Sequence, residues 1–285
     1  MAIKSPNLRE LLNQARAESF AVGAFNIFDY LSTKAAIDAS NETNTPILLQ
    51  TSVGTVKKFG PGELFEMMDL LRKKSTVPVL IHLDHCTDMN LAKACVDIGW
   101  DSVMVDMSAK PLEENIALSA EIKSYAQKKG VCVEGELGII SGVEDEISAE
   151  NGNLANYSDS LKYLEGSGVD VFAPAIGTAH GLYKKEVQLN YELVKRLAET
   201  TSVPVVVHGG TGLSDSQFAR LIDCGASKIN VSTALKYAYI DGLREYWNAH
   251  QDEYNPIKLN NAAEAMVKRI VQEHILRFKP KNKNQ

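Results

Sequence analysis

The residues best suited to chemistry are histidines that follow apolar runs. Residues 77–85, VPVLIHLDH, open with Val-Pro, continue apolar and end on Asp84 and a histidine. Residues 203–208, VPVVVH, repeat this pattern. A third run, 169–173, leads within a few residues to His180. Because short continuous apolar runs are typical of buried strands, the sequence predicts three imidazoles near the ends of three strands.

Three imidazoles at converging strand ends favour a metal centre. A catalytic zinc ion takes three protein ligands, neutral imidazole among them, and keeps one position open. The predicted ligands are His85, His180 and His208. Each of them alone would be interpreted as a hydrogen-bonded core histidine, which is the alternative. His250 and His274 are predicted to lie on the surface of C-terminal helices, and His82 to lie in the core or to support a ligand.

Carboxylates accompany these histidines. Asp84 directly precedes a predicted ligand, so we expect it to act as an acid or base beside the metal, or to orient a ligand. Asp106 ends a further predicted strand, and Glu134 and Glu136 share one face of the next by the two-residue period of a strand. A second metal position and support for the imidazoles remain equal alternatives for these three. Glu144, in a polar loop, is either solvated or delivered to the site when the loop closes.

The elements that must position these residues alternate regularly. Predicted strands cover 21–26, 46–51, 77–85, 102–106 and 131–137, begin at 169 and 204, and end with 228–231. Predicted helices cover 7–17, 31–41, 62–74, 90–98, 112–129, 158–164, 191–199, 214–224, 234–250 and 262–278. A glycine-containing loop precedes the helix 62–74, and the glycine-rich segment 138–156 is predicted to be a mobile active-site loop.

Eight strands, each followed by a helix, predict an α/β fold of the (β/α)8 TIM-barrel type. We expect one domain over residues 1–285, with a helical extension from about residue 251. A doubly wound sheet is the alternative. Polar residues follow nearly every predicted strand, which favours the barrel, because a barrel gathers all strand ends around one mouth whereas an open sheet has one switch point.

Composition excludes several classes of function. The chain has 285 residues, of which 45% are hydrophobic and 23% charged, and its formal net charge is −6. This acidity, without a basic cluster, argues against nucleic acid as a partner. The four cysteines lack CxxC spacing, which favours reduced thiols over disulfides. The N-terminus lacks the apolar core of a signal peptide and no apolar run is long enough to span a membrane, so we expect a cytoplasmic protein.

Glycine-rich turns predict an anion site. His208 opens the run HGGTGLS, and NVST follows the eighth predicted strand. Barrels build phosphate sites at these two places from loop amides and a helix start. The two runs, which include Gly209, are therefore predicted to bind an anion. Asn26 and Ser52, at the ends of the first two strands, are predicted to contact substrate hydroxyls or a second anion.

The motifs IHLDH, VMVD, VEGELG, SGVED, GTAHG, HGGTG and INVST occur in this order over nearly the whole chain. In them the sequence resembles the class II, metal-dependent ketose-bisphosphate aldolases, which include fructose- and tagatose-bisphosphate enzymes. The resemblance implies a TIM barrel, a divalent metal, usually zinc, and a homodimer or homotetramer. It also implies cleavage of a ketose 1,6-bisphosphate to dihydroxyacetone phosphate and glyceraldehyde 3-phosphate.

The same resemblance implies roles for individual residues. Asp84 matches the acid/base, and Glu144 would handle the C3 proton. The phosphate-binding positions are matched by Gly181, Gly210, Thr211, Asn230, Ser232 and Thr233. Gly181 and the loop after His180 also lie near the family's monovalent-cation site. The three histidines match the metal ligands, with Asp106 and Glu136 as alternative metal-site carboxylates.

Chemistry favours a metal here as well. Cleavage of the C3–C4 bond needs a Schiff-base lysine or a metal as electron sink. The sixth predicted strand contains no lysine, and Lys228, in the eighth, is predicted to pair with a carboxylate or an anion.

Two alternatives to this function remain. Departures from the family pattern at 108–110, Gly135 and 187–190 are expected to flank the pocket without touching the metal set. They motivate an aldolase for a related ketose, such as a 6-deoxy-6-sulfo or singly phosphorylated sugar. The weaker alternative is a barrel that binds sugar phosphates without chemistry, in which Asp84 and Glu144 would have no role.

Overall fold

The computed structural model describes residues 6–144, 147–149, 152–181 and 187–279. The strands are β1 Val22–Asn26, β2 Ile47–Ser52, β3 Val79–Cys86, β4 Ser102–Val105, β5 Cys132–Leu137, β6 Ser141–Glu144, β7 Ile147–Ala149, β8 Val171–Pro174, β9 Ala179–His180, β10 Val205–Val207 and β11 Ala226–Val231. The helices are α1 Leu8–Ala17, α2 Tyr30–Thr43, α3 Val53–Phe59, α4 Pro61–Arg72, α5 Met89–Ile98, α6 Leu112–Gln127, α7 Tyr157–Ser167, α8 Tyr191–Thr200, α9 Asp215–Asp223, α10 Thr233–Ala249 and α11 Pro256–Phe278.

Eight of the strands close into a barrel in the order β1, β2, β3, β4, β5, β8, β10 and β11. Neighbouring strands are parallel throughout, so the predicted (β/α)8 TIM barrel is confirmed. The barrel strands are mostly apolar and almost completely buried; all eight residues of β3, for example, are buried. Their outward side chains pack under the helices in one large core.

Helix α1 closes one end of the barrel. It begins at a capping box formed by Asn7 and Glu10, and its buried face carries Leu8, Leu11 and Leu12. This face packs on inward-facing residues near the amino ends of the strands, which include Val22, Ala24, Leu48, Leu80, Cys132 and Val171. Because the amino end is filled with apolar side chains, the polar strand ends open at the opposite, carboxyl end.

A bulge in β3 positions two consecutive side chains at that carboxyl end. Adjacent residues of a regular strand point to opposite faces. The pairing of β3 with β4 shifts register between Leu83 and Cys86, and His85 has a φ of 46°, in the left-handed region that histidine adopts more readily than most residues. Asp84 and His85 can therefore both face the barrel mouth, as expected from sequence.

Two segments differ from the sequence prediction. The loop predicted to precede the helix 62–74 contains the short helix α3. This helix starts after the N-cap Ser52 and ends at Gly60, which has a φ of 88°. The predicted mobile loop contains β6 and β7, which pair antiparallel, and β6 also pairs parallel with β9. The segments that carry Glu144 and His180 therefore belong to one small sheet, outside the barrel wall.

The C-terminal helices also correct one prediction. Helix α11 packs on α2, α10 and α9. His274 lies on its buried side at 5% exposure, with its ring in edge-on contact with Phe218 and Phe278. Its Nδ1 lies 2.8 Å from the carbonyl oxygen of Ile270. The expectation that His274 is a surface residue is wrong, whereas His250 is exposed. No described helix is long and apolar enough to cross a membrane.

Candidate active site

Two of the three predicted ligand histidines meet at the barrel mouth. The Nε2 atom of His85 lies 2.8 Å from the Nδ1 atom of His208, and their ring planes are nearly perpendicular at 83°. His85 comes from the end of β3, and His208 directly follows β10. Both are at least 94% buried, with exposures of 6% and 2%. The convergence of these two strand ends agrees with the prediction from sequence.

A carboxylate contacts the second nitrogen of each ring. The two nitrogens that face each other, His85 Nε2 and His208 Nδ1, are called the inner nitrogens, and the other two the outer nitrogens. Asp106 Oδ2 lies 2.8 Å from His85 Nδ1, and Glu134 Oε1 lies 3.0 Å from His208 Nε2. Burial alone would raise the pKa of Asp106, but its hydrogen bonds to His85 and Ser108 hold that pKa well below the usual value. An ionised carboxylate only accepts hydrogen bonds. Asp106 and Glu134 therefore occupy the positions of carboxylates that orient metal-bound imidazoles.

This arrangement leaves the two inner nitrogens in need of a cation. If each outer ring nitrogen donates to its carboxylate, the inner nitrogens of His85 and His208 direct lone pairs towards each other at 2.8 Å. Two lone pairs at that separation require a shared proton or a metal ion between them. Burial alone would lower the pKa of His85, but the charge of Asp84 and the hydrogen bond to Asp106 hold it well above the usual value.

Glu136 is a further residue that could bind a cation. Its Oε2 atom is buried and has no hydrogen-bond partner within the described residues. This oxygen lies 3.5 Å from His208 Nδ1 and 3.8 Å from His85 Nδ1. Burial, together with the nearby charge of Asp106, raises the pKa of Glu136 well above its usual value. A buried oxygen without a hydrogen-bond donor, beside two imidazoles, fits a bound cation. Two groups of described side chains could hold one: the first is Asp84, His85 and His208, and the second is His85, Asp106 and Glu136.

Three side-chain amides surround Asp84. Asn26 Nδ2 and Gln50 Nε2 donate to its Oδ2 at 2.9 and 3.2 Å, and Asn230 Nδ2 donates to its Oδ1 at 3.2 Å. Gln50 also donates to Asn26 Oδ1 at 2.6 Å. All four residues lie at carboxyl ends of barrel strands and are at most 6% exposed. The carboxylate is therefore fixed in place as an acceptor, and the amide of Asn26, predicted to contact substrate, is engaged by Asp84.

A pocket beside the histidines collects the predicted phosphate-binding residues. It is lined by Gly181, Gly209, Gly210, Thr211, Asn230, Ser232 and Thr233. Gly210 N donates to the carbonyl oxygen of Asn230 at 2.9 Å, which joins the turn after β10 to the end of β11. A Cβ on Gly210 would lie 2.6 Å from that oxygen, so the turn requires glycine there.

The pocket also lies at the start of a long helix. Helix α10 has 17 residues, and its N-cap Ser232 forms no side-chain capping bond. The Ser232 hydroxyl is buried and lacks a hydrogen-bond partner within the described residues. Helix N-termini carry partial positive charge and free amides, which bind anions. This pocket can therefore bind a phosphate group.

Some predicted site residues lie elsewhere or outside the described structure. Ser52 is at the mouth, opposite Asp84 in the strand register, and its hydroxyl accepts a 3.4 Å capping bond from Thr55 N. The side chains of His180 and Glu144 lie outside the described residues. Their backbones belong to β9 and β6, which pair with each other. Gly209 lies against β9, because a Cβ on it would be 2.4 Å from the carbonyl oxygen of Ala179.

Comparisons with known proteins decide the family. The family described as "Fructose-bisphosphate aldolase class-II" matches residues 6–283. The chain belongs to the class II fructose-bisphosphate aldolases. It is therefore an aldolase, a carbon–carbon lyase, and this family is generally dependent on a divalent metal. Membership excludes the alternative of a barrel without chemistry and implies a phosphorylated sugar as substrate.

Individual relatives cover nearly the whole aldolase chain. A fructose-bisphosphate aldolase of Staphylococcus epidermidis is 34% identical over 280 residues, which are 97% of this chain and 98% of the relative. That of Geobacillus stearothermophilus is 36% identical over 273 residues, 93% of each chain. Among solved structures, the YdjI aldolase of Escherichia coli K12 is 31% identical and has a TM-score of 0.86, with 99% of this chain and 100% of the other covered.

The departures from the family pattern have structural reasons in this aldolase. A Cβ on Gly135 would lie 2.0 Å from the Tyr163 hydroxyl, so glycine makes room for that ring. Asn190 caps α8 through a bond from Leu193 N. Ser108 differs from expectation: its backbone N and hydroxyl donate to Asp106 Oδ1 at 3.1 and 2.7 Å, so this segment does contact the predicted metal set.

Sequence reasoning missed one participant and left another undecided. Gln50 was not predicted, although it is a polar residue within an apolar strand of the barrel, which is a usable signal. Glu134 was predicted to serve either a second metal or an imidazole, and its contact with the outer nitrogen of His208 favours the second role.

Proposed function

We propose that this aldolase catalyses the metal-dependent cleavage of a ketose 1,6-bisphosphate, fructose or tagatose, to dihydroxyacetone phosphate and glyceraldehyde 3-phosphate. The observation that carries this proposal is the pairing of His85 and His208, whose inner nitrogens meet at 2.8 Å beside the fixed carboxylate of Asp84. An anion pocket opens next to them. A cation site, a proton acceptor and a phosphate site in one mouth are the parts that this reaction needs.

The metal would be held by His85 and His208, with His180 as the third ligand that the sequence predicts. A bound divalent ion supplies Lewis-acid stabilisation of the negative charge that develops at the ketose carbonyl. Zinc suits this donor set because it binds neutral imidazole readily. Asp106 and Glu134 orient the rings from outside. Glu136 remains close enough to act as an alternative ligand.

The chain's own groups would move the protons. Asp84 takes the proton of the C4 hydroxyl, the C3–C4 bond breaks, and C4 leaves as the aldehyde carbon. The bonding pair remains on the three-carbon fragment, and Glu144 returns a proton to C3. Asn26, Gln50 and Asn230 keep Asp84 aimed throughout, because they donate to both of its oxygens.

The phosphate of the three-carbon fragment would bind in the pocket at the start of α10. The backbone of Gly210 and Thr211 approaches it from one side, and the Ser232 hydroxyl is available from the other. Ser52 would contact substrate hydroxyls or the far anion, and the resemblance implies a monovalent cation near Gly181. These positions support binding of an extended, doubly anionic sugar.

A retro-aldol assay with and without a chelator tests this proposal. The panel contains fructose and tagatose 1,6-bisphosphates, their 1-phosphates, and 6-deoxy-6-sulfofructose with and without a 1-phosphate. We expect chelator-sensitive cleavage of one bisphosphate, restored by zinc. Cleavage that persists after the metal has been removed, or no cleavage of any sugar, would overturn the proposal.

A related ketose is the second candidate substrate. The departures from the family pattern at 108–110, Gly135 and 187–190 motivate this candidate. In the assay above, turnover of only a sulfonated or singly phosphorylated ketose would favour this candidate and retain the mechanism.

We also propose that the aldolase self-associates through α10. Tyr237, Ile240 and Trp247 on this helix are 40–51% exposed, and their spacing of three and seven residues matches the apolar seam of paired helices. Asp241 and Arg244 form an ion pair within the helix at 3.4 Å. In an antiparallel pair of copies, each Asp241 would face the other copy's Arg244, which makes the face self-complementary.

Light scattering coupled to size exclusion tests this self-association. We expect a mass of at least twice the 31.2 kDa chain, and a shift towards the monomer in Ile240→Glu/Trp247→Glu. Leu276→Glu is the control, since Leu276 is also an exposed apolar residue, at 61%, on another helix. A wild-type monomer would disprove the proposal.

A further inference from the structure

A fully buried polar cluster lies in the barrel interior, one layer below the candidate metal centre. Lys228, Glu134 and His82 all have 0% exposure. Each precedes a mouth residue by two positions on its strand: Asn230 on β11, Glu136 on β5 and Asp84 on β3. Because the side-chain period of a strand is two, the cluster shares the inner face of the barrel with the site.

Glu134 pairs with the buried ammonium group of Lys228. A lysine without exposure is tolerated only when it is paired, and Lys228 Nζ lies 2.8 Å from Glu134 Oε2. The other oxygen of that carboxylate, Oε1, lies 3.0 Å from His208 Nε2. One carboxylate thus joins a buried ammonium group to a predicted metal ligand.

His82 supplies the other end of the cluster. Its Nε2 lies 3.4 Å from Lys228 Nζ, and its Nδ1 lies 2.6 Å from the hydroxyl of Ser102. Since an ammonium group only donates, His82 Nε2 accepts and Nδ1 carries the hydrogen. Burial and the charge of Lys228 lower the pKa of His82 well below its usual value, so His82 is a neutral acceptor that holds Lys228 against Glu134.

We infer that Glu134, held by Lys228, is a positioning residue that fixes the hydrogen of His208 on Nε2 and thereby presents the Nδ1 lone pair to the metal centre. A carboxylate cannot donate, so the Nε2 atom of His208 must. Nδ1 is then left with a lone pair, and it is the atom that faces His85. The consequence for metal binding rests on the proposed function, whereas the position of the hydrogen does not.

The substitution Glu134→Gln tests this inference because it changes one atom. Lys228 requires an oxygen, so the side-chain amide would turn its NH2 group towards His208 Nε2. That nitrogen would then accept, and the hydrogen would move to Nδ1. We expect zinc affinity to fall by about 10- to 100-fold, the usual effect of losing such a partner.

The double variant Glu134→Gln/Lys228→Met provides a rescue. Without the ammonium group, the amide can turn its oxygen back to His208 and donate to His82. We expect the double variant to regain at least about tenfold of the lost zinc affinity, although it carries more substitutions. A role in packing alone predicts the opposite, a further loss.

Asp170→Asn is the matched control. Asp170 is also a buried carboxylate, at 8% exposure, and it pairs with Lys123 Nζ at 2.6 Å. It accepts a bond from the backbone N of Val133 rather than from a ring. We expect this variant to lose thermal stability without losing zinc affinity.

Two measurements on the 285-residue protein test the inference. Zinc affinity is measured by competition with a chromophoric chelator. The histidine tautomers are measured by long-range proton–nitrogen correlation on protein labelled with nitrogen-15 in its six histidines, both zinc-loaded and metal-free. The inference predicts Nε2–H on His208 in the wild type and Nδ1–H in Glu134→Gln.

The outcomes separate the inference from the proposed function. Nδ1–H on His208 in the wild type would overturn the inference even if no variant folds. Unchanged zinc affinity in Glu134→Gln, or an additive loss in the double variant, would also overturn it. If the wild type shows the predicted tautomers but binds no zinc, the positioning role stands and the proposed metal dependence fails.

Discussion

Asp84 differs from the other buried carboxylates of the site in its neighbours. Asp106 and Glu134 contact ring nitrogens. Within the described part of the chain, the side chains that donate to Asp84 are all amides. Amides donate without carrying charge, and these three fix the position of the carboxylate. Both kinds of environment lie within one barrel mouth, and in the proposed reaction they would distinguish the proton acceptor Asp84 from the carboxylates that orient ligands.

The substitution Asp84→Asn should remove the proton acceptor while retaining its shape. We expect the rate of cleavage to fall by about 10²- to 10⁴-fold, the usual contribution of a general base, with zinc still bound. Steady-state kinetics and zinc titration measure the two effects. Asp106→Asn is the comparison, since it should weaken zinc binding first. Wild-type turnover in Asp84→Asn would contradict the assigned role.

Gly210 tests the phosphate pocket. In Gly210→Ala the new Cβ would lie 2.6 Å from the carbonyl oxygen of Asn230 and 2.9 Å from Ile229 Cγ2. Overpacking of this kind costs about 1–3 kcal/mol, so the turn must shift and binding of inorganic phosphate should weaken by roughly 5- to 100-fold.

Competitive inhibition by phosphate measures this effect. Gly62→Ala is the matched control, because a Cβ there meets nothing within 4 Å, and it should bind phosphate as the wild type does. Equal inhibition constants for the two variants would show that the turn does not shape the anion site.

The residues of the mouth were predictable because they interrupt apolar runs. Asp84 and His208 follow continuous hydrophobic stretches, and a polar side chain at a strand end needs a reason to be there. The orientation of each imidazole ring, which decides the partner of each ring nitrogen, was not predictable. Whether Glu134 serves a metal or an imidazole depends on which nitrogen it faces, and that is fixed by contacts between strands distant in sequence.

At the scale of elements, the small sheet of β6, β7 and β9 joins two predicted participants. The pairing of Gly142 with His180 links the backbone that carries Glu144 to the backbone that carries the third predicted ligand. The chain between Ile139 and Asn153, which contains β6 and β7, is called the excursion. Two backbone hydrogen bonds between Ile139 and Asn153, of 2.8 and 2.9 Å, close its base. Movement of either segment would therefore affect the other.

Gly138 controls the base of this excursion. It has a φ of 82°, and a Cβ would lie 2.5 Å from the carbonyl oxygen of Asn153. We expect Gly138→Ala to displace the excursion and to slow exchange of the C3 proton of dihydroxyacetone phosphate by at least about tenfold, since that step depends on placing Glu144. Exchange is measured by NMR in deuterated water.

Zinc affinity distinguishes the possible reasons for such a loss. If Gly138→Ala retains zinc binding, the loss arises from the placement of Glu144; a loss of both shows that His180 has moved with β6. Unchanged proton exchange would contradict the role of the excursion, and Gly62→Ala again serves as the control for a substitution without contacts.

The element boundaries show which signals the sequence contained. Most strands were predicted because they are short apolar runs, and the barrel followed from their number. Helix α3 was missed because it has only seven residues, contains Gly54 and ends at Gly60, a pattern typical of a loop. His274 could have been assigned to the core, because it continues the stripe of Val267 and Val271 at spacings of seven and three.

For the whole molecule, the two ends of the barrel differ: one is apolar and packed, and the other carries the polar residues of the site. One end is filled by α1 and apolar side chains. The other gathers four carboxylates, Asp84, Asp106, Glu134 and Glu136, all at most 7% exposed. Lys228 lies among them and pairs with Glu134. A buried excess of negative charge is costly unless it is compensated, so a bound cation should stabilise the entire fold.

Metal removal tests this coupling between site and fold. A ligand present at 1,000 times its dissociation constant stabilises the native state by about 4 kcal/mol, and a domain of this size shifts its melting temperature by roughly 2 °C per kcal/mol. We therefore expect a chelator to lower the melting temperature by about 8 °C, as measured by scanning calorimetry, and zinc to restore it. His208→Gln should abolish the shift because it removes a predicted ligand, whereas His250→Gln, at an exposed position, should retain it. A melting temperature independent of zinc and chelator would mean that the charge of the mouth is balanced without a metal.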